Sequence, residues 1–181
     1  MTNNKYRKII ENSVNDVLVR LFKDRKKMDF VISQGGFEKY FQFEIAYEIS
    51  KSGCHVHVEG QGRSDILIYE GSNPAAVIEM GAGFESQKEQ ESKPQSDYQS
   101  FLQKSDKEHS LRGIEFYSLM ILGMNNNKGK IPSNWKQVNL LCKQPVSYEK
   151  AWRESGFDVI PMNFYASKLG LSTSLLHKIA T

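Results

Sequence analysis

The sequence predicts an α/β fold. Apolar residues recur at helical spacing through the first fifty residues, alternation of period two takes over after Cys54, and a polar segment then leads through a further helix into an apolar, β-prone run.

Taken in order, Tyr6, Ile9, Ile10, Val14, Val17, Leu18, Leu21 and Phe22 mark one face of an amphipathic first helix that ends near Arg25 to Lys27. Gly35 and Gly36 break the chain. Phe37, Tyr40, Phe41, Ile45, Tyr47 and Ile49 then outline a second helix that closes at Gly53 and carries Glu44. Val56 and Val58 alternate with His55, His57 and Glu59 as in a strand, and Gly60-Gln61-Gly62 supplies a turn. Asp65 to Tyr69 and Ala75 to Glu79 are two more β segments around the turn-forming Gly71-Ser72-Asn73-Pro74, which makes a three-stranded meander. The polar run from Glu85 to Gln99 reads as a loop leading into a helix. Pro94 suits that helix's first turn, and Tyr98, Phe101 and Leu102 continue it. Ile114 to Leu122 is apolar enough for a central strand, and 125–129 reads as a surface loop. Val138 to Cys142 fits strand or helix, Tyr148 to Glu154 a helix, Phe157 to Ile160 a strand and Leu169 to Ile179 a final helix.

The chain has 181 residues, 39% of them hydrophobic, enough for one core, and it is expected to form a single domain over 1–181. A net charge of +3, from 24 basic and 21 acidic residues, permits contact with a phosphate backbone without demanding one. Cys54 and Cys142 lack any C-x-x-C spacing, which argues against a zinc ribbon or a disulfide framework. The polar residues Met1 to Arg7 do not resemble a signal peptide, and no apolar run is long enough to span a bilayer. The expectation is a cytoplasmic protein with reduced thiols and no membrane association.

Three acids stand at marked places in this order of elements: Glu44 in Phe-Gln-Phe-Glu-Ile, Asp65 in Gly-Arg-Ser-Asp-Ile-Leu-Ile and Glu79 in Ala-Val-Ile-Glu-Met-Gly. Each is flanked by apolar residues, where an unpaired carboxylate would be costly to bury. The pattern over Phe37 to Leu122 resembles the PD-(D/E)XK nuclease superfamily of restriction enzymes, resolvases and repair nucleases. The resemblance implies a restriction-endonuclease-like three-layer core, with a central mixed β-sheet between helices and its nuclease core at about 37–122. It further implies that Glu44, Asp65 and Glu79 gather around Mg²⁺ or Mn²⁺. A hard divalent cation needs oxygen ligands, one or two of them carboxylates, and it lowers the pKa of water while neutralising charge on a phosphodiester.

Side chains alternate along a strand, so Asp65 and Glu79 share a face only if the hairpin loop has three residues or a bulge restores the register. The family's lysine, two residues after the last acid, is replaced here by Gly81. Lys88 and Lys93 are the nearest substitutes, with Gln87 and Gln90 weaker because an amide carries no charge.

The implied function is a metal-dependent endonuclease acting on DNA, of the restriction or genome-defence kind, working as a homodimer when both strands are cut. Gly81 also suits a second reading, a catalytically inactive scaffold that binds a protein toxin as an immunity protein or antitoxin. Arg63 is a candidate for DNA-backbone contact, as is the Lys23 to Lys27 stretch. His55 and His57 share a strand face, where a metal pair or phosphate contact is conceivable and simple surface decoration is commoner. Trp135, Tyr148 and Trp152 fit core packing better than base stacking.

Overall fold

The structure is a computed structural model, and it describes residues 5–24, 26–27, 30–31, 37–59, 64–83, 87–107, 111–122, 146–161 and 172–179. Arg63, Trp135 and the segment from Val138 to Cys142 lie outside these residues. Among the described residues, no helix is long and apolar enough to cross a membrane.

The predicted first helix forms as α1, Lys5–Lys23. Its buried stripe of Tyr6, Ile10, Val14, Val17, Leu18 and Leu21 packs with Phe41, Ile45 and Ile49 of α2, Phe37–Ser50. The α2 helix ends in a turn through Gly53, whose φ of 84° favours a residue without a Cβ. Then come β1 (His55–Val58), β2 (Ile66–Glu70) and β3 (Asn73–Gly83), with β2 antiparallel to both β1 and β3. The α3 helix, Gln87–Lys107, carries the chain back so that β4, Glu115–Leu122, pairs parallel to β3. A helix α4 (Val146–Glu154) follows, and strands β5 (Asp158–Pro161) and β6 (Ser172–Ile179) complete a mixed sheet that among the described residues has six strands, in the order β1-β2-β3-β4-β6-β5.

Helices cover both faces of the sheet. One face buries Ile66, Ile68, Ile78, Met80, Tyr117 and Leu119 against α1 and α2. The other buries Leu67, Val77 and Phe116 against Tyr98 and Phe101 of α3 and Trp152 of α4. Trp152 is 1% exposed and therefore belongs to the core. Trp152→Ala is expected to lose about 3–5 kcal/mol of stability, measured by urea denaturation.

Two elements differ from the sequence reading. Leu169 to Ile179 was expected to be helical, whereas 172–179 is strand β6, antiparallel to both β4 and β5. Leu175 and Leu176 are buried on opposite faces of the sheet, so an adjacent apolar pair that looks helical in sequence marks a strand covered on both sides. The polar run before Pro94 was read as a loop, yet α3 begins at Gln87 and holds Pro94 in its interior. The segment 87–93 has no apolar period, so its helical character had no signal in the hydrophobic pattern.

Candidate functional site

The β2–β3 hairpin decides whether two of the predicted acids meet. Glu70 pairs with Asn73 across a two-residue turn, Gly71-Ser72, in which Gly71 has a φ of 63°. Such a turn alone would send Asp65 and Glu79 to opposite faces. The register shifts between Ile68 and Tyr69, however, leaving Ala75 as an extra residue, and beyond it Ile68 pairs with Ala76 and Ile66 with Ile78. This bulge places Asp65 abreast of Glu79, on the face covered by α3.

Asp65 is held from two directions. The backbone N–H of Met80 donates to its Oδ2 at 2.7 Å. Gln42 Nε2 donates to the Asp65 carbonyl oxygen at 2.6 Å and approaches its Oδ1 at 3.4 Å. Gln42 is fully buried, and its Oε1 has no hydrogen-bond partner among the described residues.

Glu79 has a side chain only 13% exposed. Burial, and then the negative charge of Asp65, push its carboxyl up to about 7. A cation placed between the two carboxylates would offset both the burial of Glu79 and its repulsion by Asp65. Ser118 lies beside Glu79 in the parallel β3–β4 ladder, buried, with its hydroxyl unpaired among the described residues.

Positive charge reaches this face from α3. Lys93 pairs with Asp97 one turn on, Nζ to Oδ2 at 3.1 Å, and Lys104 Nζ stands 3.9 Å from Glu79 Oε1. Burial alone would lower the pKa of Lys93, but Asp97, Glu38 and Asp65 outweigh it and raise it, so the ammonium stays charged. Burial likewise raises the pKa of Asp97 against the pull of Lys93.

The space over Gly81 is crowded by side-chain ends. A Cβ on Gly81 would lie 2.7 Å from Met120 Sδ, 2.8 Å from Met120 Cε and 3.0 Å from Lys93 Cε. The ends of the Met120 and Lys93 side chains, the latter entering from the helix, together occupy the space into which a residue at position 81 would project. Lys88 lies in the first turn of α3, and its side chain, like those of Gln87 and Gln90, is outside the described set.

No family model matches the chain, and neither the curated proteins nor the solved structures provide a significant match.

Glu44 is not brought to Asp65 and Glu79. It accepts from Arg20 at 2.8 Å and from Lys27 at 3.3 Å, tying α1 and the residues after it to α2. Burial works to raise its pKa, but these two cations win and lower it. Gln42, which does reach Asp65, is two residues earlier and so roughly 200° away around the helix. The apolar flanks that singled out Glu44 also divide: Ile45 is buried while Phe43 is 59% exposed, because sequence neighbours on a helix do not share a face. Among the described residues no three of His, Cys, Asp or Glu come together as a metal-holding group. Glu44→Ala is expected to cost less than about 1 kcal/mol in urea denaturation, as for other partly exposed ion pairs, and to leave cation uptake at Asp65 and Glu79 unchanged.

Gln42, Asp97, Lys104 and Ser118 were not singled out in the sequence. The spacing of Lys93, Asp97 and Lys104 did carry a signal, since steps of four and seven keep residues on one helical face. Gln42 and Ser118 had none, being ordinary polar residues whose importance comes from what lies across from them.

Proposed function

We propose that this protein is a metal-dependent endonuclease of the PD-(D/E)XK kind that hydrolyses DNA phosphodiester bonds in restriction or genome defence. The observation that carries the reading is the pairing of Asp65 with Glu79 beside a lysine, Lys93, whose side chain reaches the space over Gly81 alongside Met120. The element order from α2 to β4, with β3 and β4 parallel, supports it as the restriction-endonuclease-like arrangement.

The donor set fits Mg²⁺ or Mn²⁺, because two adjacent carboxylates, one with its pKa pushed up to about 7 by burial and its neighbour, are what such a cation would relieve. When bound at Asp65 and Glu79, the cation supplies charge neutralisation for a phosphate and acidifies water. The protein's own groups do the rest. Gln42 and the Met80 N–H fix the Asp65 carboxylate. Lys93, anchored by Asp97, offers a preorganised ammonium to charge developing on the phosphate. Lys104 balances Glu79 from the far side of the same helix face. Cutting both strands together would call for two copies, the proposed homodimer.

The test is incubation of the purified protein with supercoiled plasmid and with single-stranded DNA, in Mg²⁺ or Mn²⁺, beside Asp65→Asn. Metal-dependent nicking that disappears in the variant is the expected result. Absence of cutting together with absence of metal uptake would reject the enzyme in favour of a binding scaffold, such as a partner of a protein toxin.

A further inference from the structure

The outermost strand, β1, carries a feature that the hydrolytic reading does not use. His55 and His57 project from one face of this edge strand, both exposed, with their Nε2 atoms 3.2 Å apart. Their rings meet edge to face, with centroids at 4.6 Å and planes at 89°. Tyr69, opposite His55 in β2, braces both, its ring 5.6 Å from that of His55 and 5.1 Å from that of His57.

From this geometry we infer that His55 and His57 form a two-histidine chelate for a borderline divalent cation of the Zn²⁺ or Cu²⁺ class. Imidazole nitrogens bind such a cation at roughly 2.0–2.1 Å, which sets two ligand nitrogens roughly 2.8–3.4 Å apart for octahedral to tetrahedral angles. The observed separation falls within that span, so the two nitrogens already stand at a chelating distance. A neutral pair can instead share one proton between these nitrogens, and a cation would take that proton's place. Spacing i, i+2 on a strand puts both rings on the same side, and Tyr69 limits their rotation, so little ordering is left to be done on binding. Among the described residues no third His, Cys, Asp or Glu joins them. Both rings are exposed, so water or a donor atom of another molecule can complete the coordination.

The site is separable from the carboxylate pair by ligand chemistry. Imidazoles prefer Cu²⁺ and Zn²⁺, whereas carboxylates suit Mg²⁺ and Mn²⁺. The inference does not depend on the nuclease reading.

The experiment is titration of the full-length protein with Cu²⁺, followed by electron paramagnetic resonance, and with Zn²⁺, followed by calorimetry, for the unaltered chain, His55→Ala, His57→Ala and Asp65→Asn. The expected result is one equivalent of Cu²⁺ with hyperfine structure from two imidazole nitrogens. Each histidine variant should weaken Zn²⁺ by at least about tenfold, and Asp65→Asn should change neither signal. Both histidines are exposed, so the variants should fold, and the spectrum of the unaltered protein counts the nitrogens without any substitution. A Cu²⁺ signal with oxygen donors only, a loss confined to one histidine variant, or uptake indifferent to both would overturn the chelate.

Discussion

Glu79→Gln is expected to abolish metal-dependent DNA cleavage, by at least about a hundredfold, while making the protein more stable above neutral pH. Glutamine keeps the shape of the side chain but removes the charge, so Asp65 is left without its companion ligand and also without its repulsion. The sign of the pH effect follows from linkage. Folding raises the Glu79 pKa from its usual 4.5 to about 7, so the folded state binds this proton more tightly than the unfolded chain does. Its contribution is fully present below about pH 4.5 and is lost as pH rises through about 7, a swing on the order of 3 kcal/mol at most. Urea denaturation at pH 5 and pH 8 should therefore show the unaltered protein losing more stability between the two than Glu79→Gln does. Equal pH responses would mean that Glu79 is not held in the environment described.

Lys93→Ala is expected to cut the cleavage rate about 10²–10³-fold, the loss typical of removing a preorganised donor from developing charge, without abolishing Mg²⁺ uptake. That combination separates a role in the reaction from a role in holding the site together. The stronger form adds Gly81→Lys to the same variant. With Lys93 shortened, one of the three close neighbours of a Cβ at position 81 is gone, and the other two are the Sδ and Cε at the flexible end of Met120. Methionine can yield there at small cost. Recovery of part of the lost rate would show that the ammonium is needed at this place rather than from this helix. Gly81→Lys with Lys93 intact should instead crowd the site and lose stability by about 1–3 kcal/mol.

Much of the arrangement was legible because it rests on local patterns. The stripe on α1 and the alternation of β1 are direct readings of periodicity, and Asp65 and Glu79 stood out as acids at the ends of apolar strands. Their meeting was legible only as a condition, since no feature of Gly71 to Ala76 distinguishes a three-residue loop from a two-residue turn with a bulge. Glu44 was misread because apolar neighbours in sequence say nothing about which helical face a residue occupies, and Arg20 and Lys27, which claim it, lie on other segments. The β6 strand was misread for a related reason: burial on both faces erases the alternation that identifies a strand. Lys93 was within reach of sequence reasoning, but Asp97, which anchors it, became meaningful only once α3 extended back past Pro94.

The most direct test of the account is a Mn²⁺ titration followed by electron paramagnetic resonance, comparing the unaltered protein with Asp65→Asn, Glu79→Gln and Glu44→Ala. The account predicts a Mn²⁺ site lost in the first two variants and retained in the third. Retention of the site in both Asp65→Asn and Glu79→Gln would contradict it, as would loss of the site in Glu44→Ala alone.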